Sequence, residues 1–145
     1  MKDLSYFTIK IRNISLKMTK EELQNCEGLT YLTWDMFDSP DTKGSGFRFM
    51  EREPVLILDA IVRKTQAKMN VELGYVSKTV ADKMGLVSTD SHRVGKAVRL
   101  RCVGHKKRMV IIKALVEFGI ERIAVNRETV YFDTDDLKDR AFYLW

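Results

Sequence analysis

Two histidines and two cysteines, His92, His105, Cys26 and Cys102, are the only imidazole and thiol ligands in this chain of 145 residues. A catalytic zinc needs three protein ligands drawn from His, Cys, Asp and Glu, plus an open position for water. None of these four residues lies at a short ligand spacing such as C-x-x-C or H-E-x-x-H. A metal centre would therefore have to be assembled from distant residues with carboxylates. His105 sits in Gly104-His105-Lys106-Lys107-Arg108, a basic loop where a solvated imidazole is the simpler reading. Ser91 adjoins His92, but chain neighbours seldom turn their side chains to each other, and no G-x-S-x-G elbow is present. The carboxylates are scattered as on a solvated surface, so no glycosidase pair can be named.

His92 nevertheless stands within a patterned run. Ser91-His92-Arg93-Val94-Gly95-Lys96-Ala97-Val98-Arg99 is close to S-H-x-x-G-x-A-x-D, with the last position reversed in charge. Upstream, Phe37-Asp38-Ser39-Pro40-Asp41-Thr42-Lys43-Gly44-Ser45-Gly46 is close to F-D-S-P-D-x-x-G-S-G, and Leu73-Gly74-Tyr75-Val76 is similar to an S-G-Y-R turn. Downstream, Thr129-Val130-Tyr131-Phe132-Asp133 is similar to an F-I-H-V-D strand. In this order, and with an ungapped spacing from Gly74 to His92, the chain from Thr30 to Trp145 resembles a family of bacterial cell-wall zinc peptidases. These are the D-alanyl-D-alanine carboxypeptidases and L-alanyl-D-glutamate endopeptidases, and the F-D-S-P-D run is that of many phage-encoded members.

The resemblance implies a zinc site and also its loss. In the family, the His and Asp of the first motif and the His of the last strand bind the metal; here those positions hold His92, Arg99 and Tyr131. A guanidinium is permanently protonated, has no acceptor lone pair and repels a divalent cation. The substrate-binding Arg of S-G-Y-R is Val76, and an Asn that follows that turn falls on Ala81. Glu128 lies three residues before Tyr131, where the family often places its catalytic carboxylate, and Asp133 persists. The expected cleft comprises Tyr75, Val76, Ser91, His92, Arg99, Glu128, Tyr131 and Asp133. Within it Arg99 is expected to pair with Glu128 or Asp133 in place of the ion. Tyr131 would fill the space of the lost imidazole with its hydroxyl hydrogen-bonded.

The chain is accordingly read as a pseudoenzyme without a cofactor, a non-catalytic bacteriophage protein acting as a virion structural or binding component. Its partners would be other virion proteins, or further copies of itself, reached through residues 1–28. The same fold serves as a binding module in the hedgehog proteins, although fold alone does not fix function. The alternative is a working zinc-dependent peptidoglycan peptidase, an endolysin or tail-borne hydrolase that uses His92 with Asp133 or Glu128 as ligands.

Length and composition suit one ordinary globular domain. The formal net charge is +5, with basic clusters at Arg99-Leu100-Arg101 and at His105 to Arg108. Aromatic residues do not interleave with these clusters as a single-strand platform requires, so a solvated basic face is preferred over a nucleic-acid site. No run is long and apolar enough to span a bilayer. The start lacks the apolar stretch of a secretory signal, so a cytoplasmic location is expected, and the resemblance to phage-encoded members implies the host cytoplasm and the virion. Two separated cysteines give no disulfide framework.

Periodicity then places the elements. Tyr6 to Asn13 alternates as a strand, with Phe7, Ile9 and Ile11 on one face. Thr19-Lys20-Glu21-Glu22 has the form of a capping box, predicting a short helix that buries Leu23 and Cys26 and stops at Gly28. This strand and helix, residues 1–28, form an added element before a peptidase-like domain over 29–145. A loop spans Asp38 to Gly46, and a helix runs from Glu53-Pro54 to about Lys68. Strands follow at Asn70 to Val76 and Gly95 to Val103, separated by a short helix or turn from Ser77 to Met84 that Gly85 closes. A helix over Lys106 to Phe118, apolar at Met109, Ile112, Leu115 and Val116, precedes a hairpin of Ile120 to Val125 and Thr129 to Thr134. Helices on a small, largely antiparallel sheet make an α+β fold. Alternation puts Val98, Leu100 and Cys102 on one face of their strand and Arg99 and Arg101 on the other, and likewise turns Tyr131 and Asp133 away from Val130 and Phe132. The resemblance implies that His92, Arg99, Tyr131 and Glu128 converge in the former metal cleft.

Overall fold

A computed structural model of the chain describes residues 6–11, 14–19, 29–139 and 141–144. The fold is α+β, with four helices and a mixed five-stranded sheet among the described residues. The helices are α1 (Ser45–Phe49), α2 (Arg52–Thr65), α3 (Lys78–Met84) and α4 (His105–Glu117). The sheet contains β3 (Val71–Leu73), β4 (Ala97–Arg101), β5 (Arg122–Val125), β6 (Thr129–Asp133) and β7 (Ala141–Leu144) in the order β3-β4-β6-β5-β7. Only β5 and β7 run parallel. Before them, β1 (Tyr6–Ile11) and β2 (Ile14–Thr19) form a separate antiparallel ribbon.

One face of the sheet makes the core. Val98 and Leu100 from β4, Val130 and Phe132 from β6, and Ile123 and Val125 from β5 are buried against α2 and α4. Ile57, Leu58 and Ile61 line α2, while Ile111 and Leu115 line α4. Each fully buried side chain of this size contributes about 1.5–3 kcal/mol. Pro54 lies in the first turn of α2, where an amide would have no intrahelical acceptor. The helix ends at Thr65, earlier than expected, because Gln66 turns left-handed at φ 56°. Asp59, on the buried face of α2, accepts from the backbone amides of Thr30, Tyr31 and Leu32 at 3.0, 2.8 and 2.9 Å. One carboxylate thus ties the start of the domain to its central helix.

Several boundaries differ from expectation for local reasons. The strand predicted from Asn70 to Val76 stops at Leu73, because the chain leaves β4 for two loops. Tyr75 N–H donates to Phe37 C=O at 3.0 Å, and Val76 N–H to His92 C=O at 3.1 Å. Residues 45–49 of the expected loop and its continuation form α1. The turn between β5 and β6 is an Asx turn: Asn126 Oδ1 accepts from the amides of Glu128 and Thr129 at 2.9 and 2.8 Å. Neither β2 nor β7 is foreseen from the sequence. Thr19, read as a helix cap, ends β2, and the helix expected after it lies outside the described residues. Among the described residues no helix is long and apolar enough to cross a membrane.

Candidate functional site

The polar face of the sheet gathers most of the residues that the motifs single out. Ser91 and His92 come from a 3-10 turn, Ser91–Val94, that leads into β4. Asp90 starts this turn, its carboxylate accepting from His92 N–H at 2.9 Å. Gly95 ends it at φ 71°, and an added Cβ there would sit 2.0 Å from the Phe49 carbonyl oxygen. The glycine of the S-H-x-x-G-x-A run is thus required by backbone packing. Gly74 is pinned in the same way, with Phe37 Cα 2.7 Å from where its Cβ would lie. Ala97 is fully buried and lies opposite Asp133 in the β4–β6 register.

His92 is buried, and its Nδ1 lies 2.8 Å from the Gly74 carbonyl oxygen. A carbonyl only accepts, so Nδ1 carries the hydrogen, and Nε2 is left as the nitrogen with a lone pair. Metal-bound histidines are commonly oriented by such a carbonyl. Burial lowers the pKa of His92 below its ordinary value of 6.5, and the Arg99 cation pushes the same way. The Gly74 carbonyl, Asp90 and Asp133 oppose this without reversing it. The ring is therefore a neutral imidazole at pH 7.

Tyr131 stands beside it. The two rings meet edge to face with centroids 5.5 Å apart. The Tyr131 hydroxyl donates to Asp133 at 2.6 Å. Burial raises the phenol pKa far above its usual value, and the Asp133 carboxylate adds to this through the hydrogen bond and its charge. Tyr131 is thus held as a protonated donor rather than as an anionic ligand. Asp133, 1% exposed, also receives Arg122 Nε at 2.8 and 3.1 Å, across the directly opposed pair of β5 and β6. A buried carboxylate held by a guanidinium and a phenol has its charge and lone pairs met from within the protein.

Three expected placements are corrected by this geometry. Arg99, opposite Tyr131 in register, pairs with Glu72 of β3 at 3.0 Å, not with Glu128 or Asp133. Glu128 lies at the far end of the hairpin, where it is exposed and meets Arg101 at 3.5 Å. Val76 does not line a cleft: it is fully buried in a small apolar cluster with Leu73 and Ala81. An arginine there would have to enter that cluster. Tyr75, partly buried, packs against Phe49 with ring centroids 4.9 Å apart. Ser91 is buried too; its hydroxyl donates to Asp135 at 2.8 Å and accepts from Lys138 Nζ at 2.7 Å. Burial raises the Asp135 carboxyl pKa, but Ser91, the Leu137 amide and the Lys138 and Lys96 ammoniums outweigh it and hold the pKa low. Residues Arg122, Asp135 and Lys138 carry no motif and are found only through the strand register and the β6–β7 connection.

Among the described residues no group of three His, Cys, Asp or Glu side chains is placed to hold a metal ion. His105 opens α4 as an exposed residue, and Cys102 is a buried free thiol whose pKa burial raises. No protein-family model matches the chain, and no curated protein sequence matches it. The likeness to the cell-wall peptidases therefore rests on the motifs quoted above.

Proposed function

We propose that this chain is a non-catalytic structural or binding protein on a peptidase-like frame, its metal site closed by substitution. The observation that carries this reading is the occupation of Asp133. Its carboxylate faces Tyr131 and Arg122 within hydrogen-bond distance, so it offers no free oxygen pair to an ion beside His92. The nearby Arg99 guanidinium adds a fixed positive charge on the same sheet face. Without metal there is no activated water, and no side chain at Val76 reaches out to position a substrate carboxylate.

The phage and virion placement is the resemblance's contribution, through the Phe37 to Gly46 run and its phage-encoded counterparts. Mass spectrometry of purified particles tests that placement. The catalytic half of the reading is tested by incubating the chain with purified peptidoglycan and added zinc. Amine release equal to that of a His92→Ala variant is expected. Release above that variant would establish the alternative, a zinc peptidase with a rearranged ligand set.

A further inference from the structure

Of the two basic clusters of the sequence, Arg101 and Lys107 take no part in the closed site, and the fold brings them to one place. Arg101 at the end of β4, Lys107 in the first turn of α4 and Lys68 from the segment between α2 and β3 line an open depression of about 560 Å³. Met36, Val71 and Val103 supply apolar surface between them, and among the described residues no carboxylate or aromatic ring lines it. Neither Lys68 nor Lys107 has an ion-pair partner among the described residues. Arg101 meets Glu128 at 3.5 Å, with both side chains largely exposed. Such a surface pair is weak and readily exchanged for a better acceptor.

A concavity lined by one sign of charge over low-dielectric walls concentrates counter-charged ligands. Its volume lies within the range of ligand-binding clefts. The geometry points to this depression as the docking site for an acidic peptide segment of a partner protein, one carrying apolar side chains between its carboxylates. Carboxylates would meet the three cations, while the apolar side chains cover Met36, Val71 and Val103. Methionine suits such a surface because its unbranched thioether adapts to different partners. A nucleic-acid strand fits less well, since none of the described residues lining the depression offers a ring for bases to stack on. The cations also do not continue as a free stripe: Arg108 is tied to the carbonyls of Cys102 and Arg127. The depression shares no lining residue with the His92–Tyr131 cluster, so this inference stands apart from the proposed loss of catalysis.

Fluorescence anisotropy of a labelled peptide of alternating Glu and Leu, titrated with the full chain, tests the site. The unmodified chain should bind it, and the triple variant K68E/R101E/K107E should bind about tenfold more weakly or worse. A charge-matched control, K43E/K83E/K113E, alters exposed lysines outside the depression and should keep most of the affinity. Should the first variant misfold by circular dichroism, K68Q/R101Q/K107Q is read in its place against a matching glutamine control. Failure of the unmodified chain to bind, or equal losses in both sets, would overturn the proposal. Tighter binding of a labelled oligothymidylate than of the peptide would overturn it in favour of nucleic acid.

Discussion

Tyr131 and Asp133, two residues apart on β6, are joined side chain to side chain by a hydroxyl–carboxylate bond of 2.6 Å. Alternation sends both to the same face of the strand, and the pair occupies the ground where the motifs place a histidine ligand. Tyr131→Phe removes the donor while Arg122 continues to hold the carboxylate. A buried acceptor stripped of one bond costs about 1–3 kcal/mol. Urea denaturation should show a lower midpoint of that size with an unchanged slope. A variant as stable as the parent would mean that the phenol contributes packing alone.

Arg99 and Glu72 form a cross-strand pair at 3.0 Å, each roughly one-third exposed. Arg99→Glu replaces an attraction with a repulsion and should lower stability by about 1 kcal/mol, after discounting for solvent screening. Adding Glu72→Arg should restore most of the loss, and adding Glu128→Arg should not. Thermal melts of the single and the two double variants separate these outcomes. Rescue by Glu128→Arg would restore the partner expected from the sequence.

His92 makes the domain sensitive to mild acid. Its folded pKa lies below the unfolded value of 6.5, so the unfolded chain binds the proton more readily. The contribution is complete above about pH 6.5 and falls as pH drops toward the folded pKa. Melting temperature should therefore decline between neutral pH and the range where carboxylates begin to titrate. His92→Gln should flatten that decline while lowering stability at neutral pH. Parallel pH profiles for the two proteins would remove His92 as its source.

Much of this arrangement is legible in the sequence, and the limits have physical causes. The core face of α2 follows from apolar spacing, and the β5–β6 hairpin follows from Asn126 between two alternating runs. The face of α4 follows only in part: Met109 and Val116 are exposed, and Ile111 and Ala114 are buried beside Leu115. The β4–β6 register puts Arg99 on the same sheet face as Tyr131 and Asp133, whereas period-two alternation alone groups only Tyr131 with Asp133. Partner identity does not follow from it. Arg99 meets Glu72 because β3 pairs with β4 through a register shift, which local sequence does not encode. Arg122 reaches Asp133 because the two are directly opposed in the β5–β6 register. β7 is short and gains its place by parallel pairing with β5, a contact between distant segments. Val76 is the clearest divergence: a motif position read as part of a cleft is an apolar core site.

Metal content is the most direct measure of whether the site is closed. The purified full chain, dialysed against trace zinc and then against metal-free buffer, should hold far less than one equivalent by elemental analysis. His92→Ala should not change that value, since the imidazole lacks two further ligands among the described residues. One equivalent of zinc per chain, lost on His92→Ala, would contradict the closed site and favour the alternative of a working zinc peptidase.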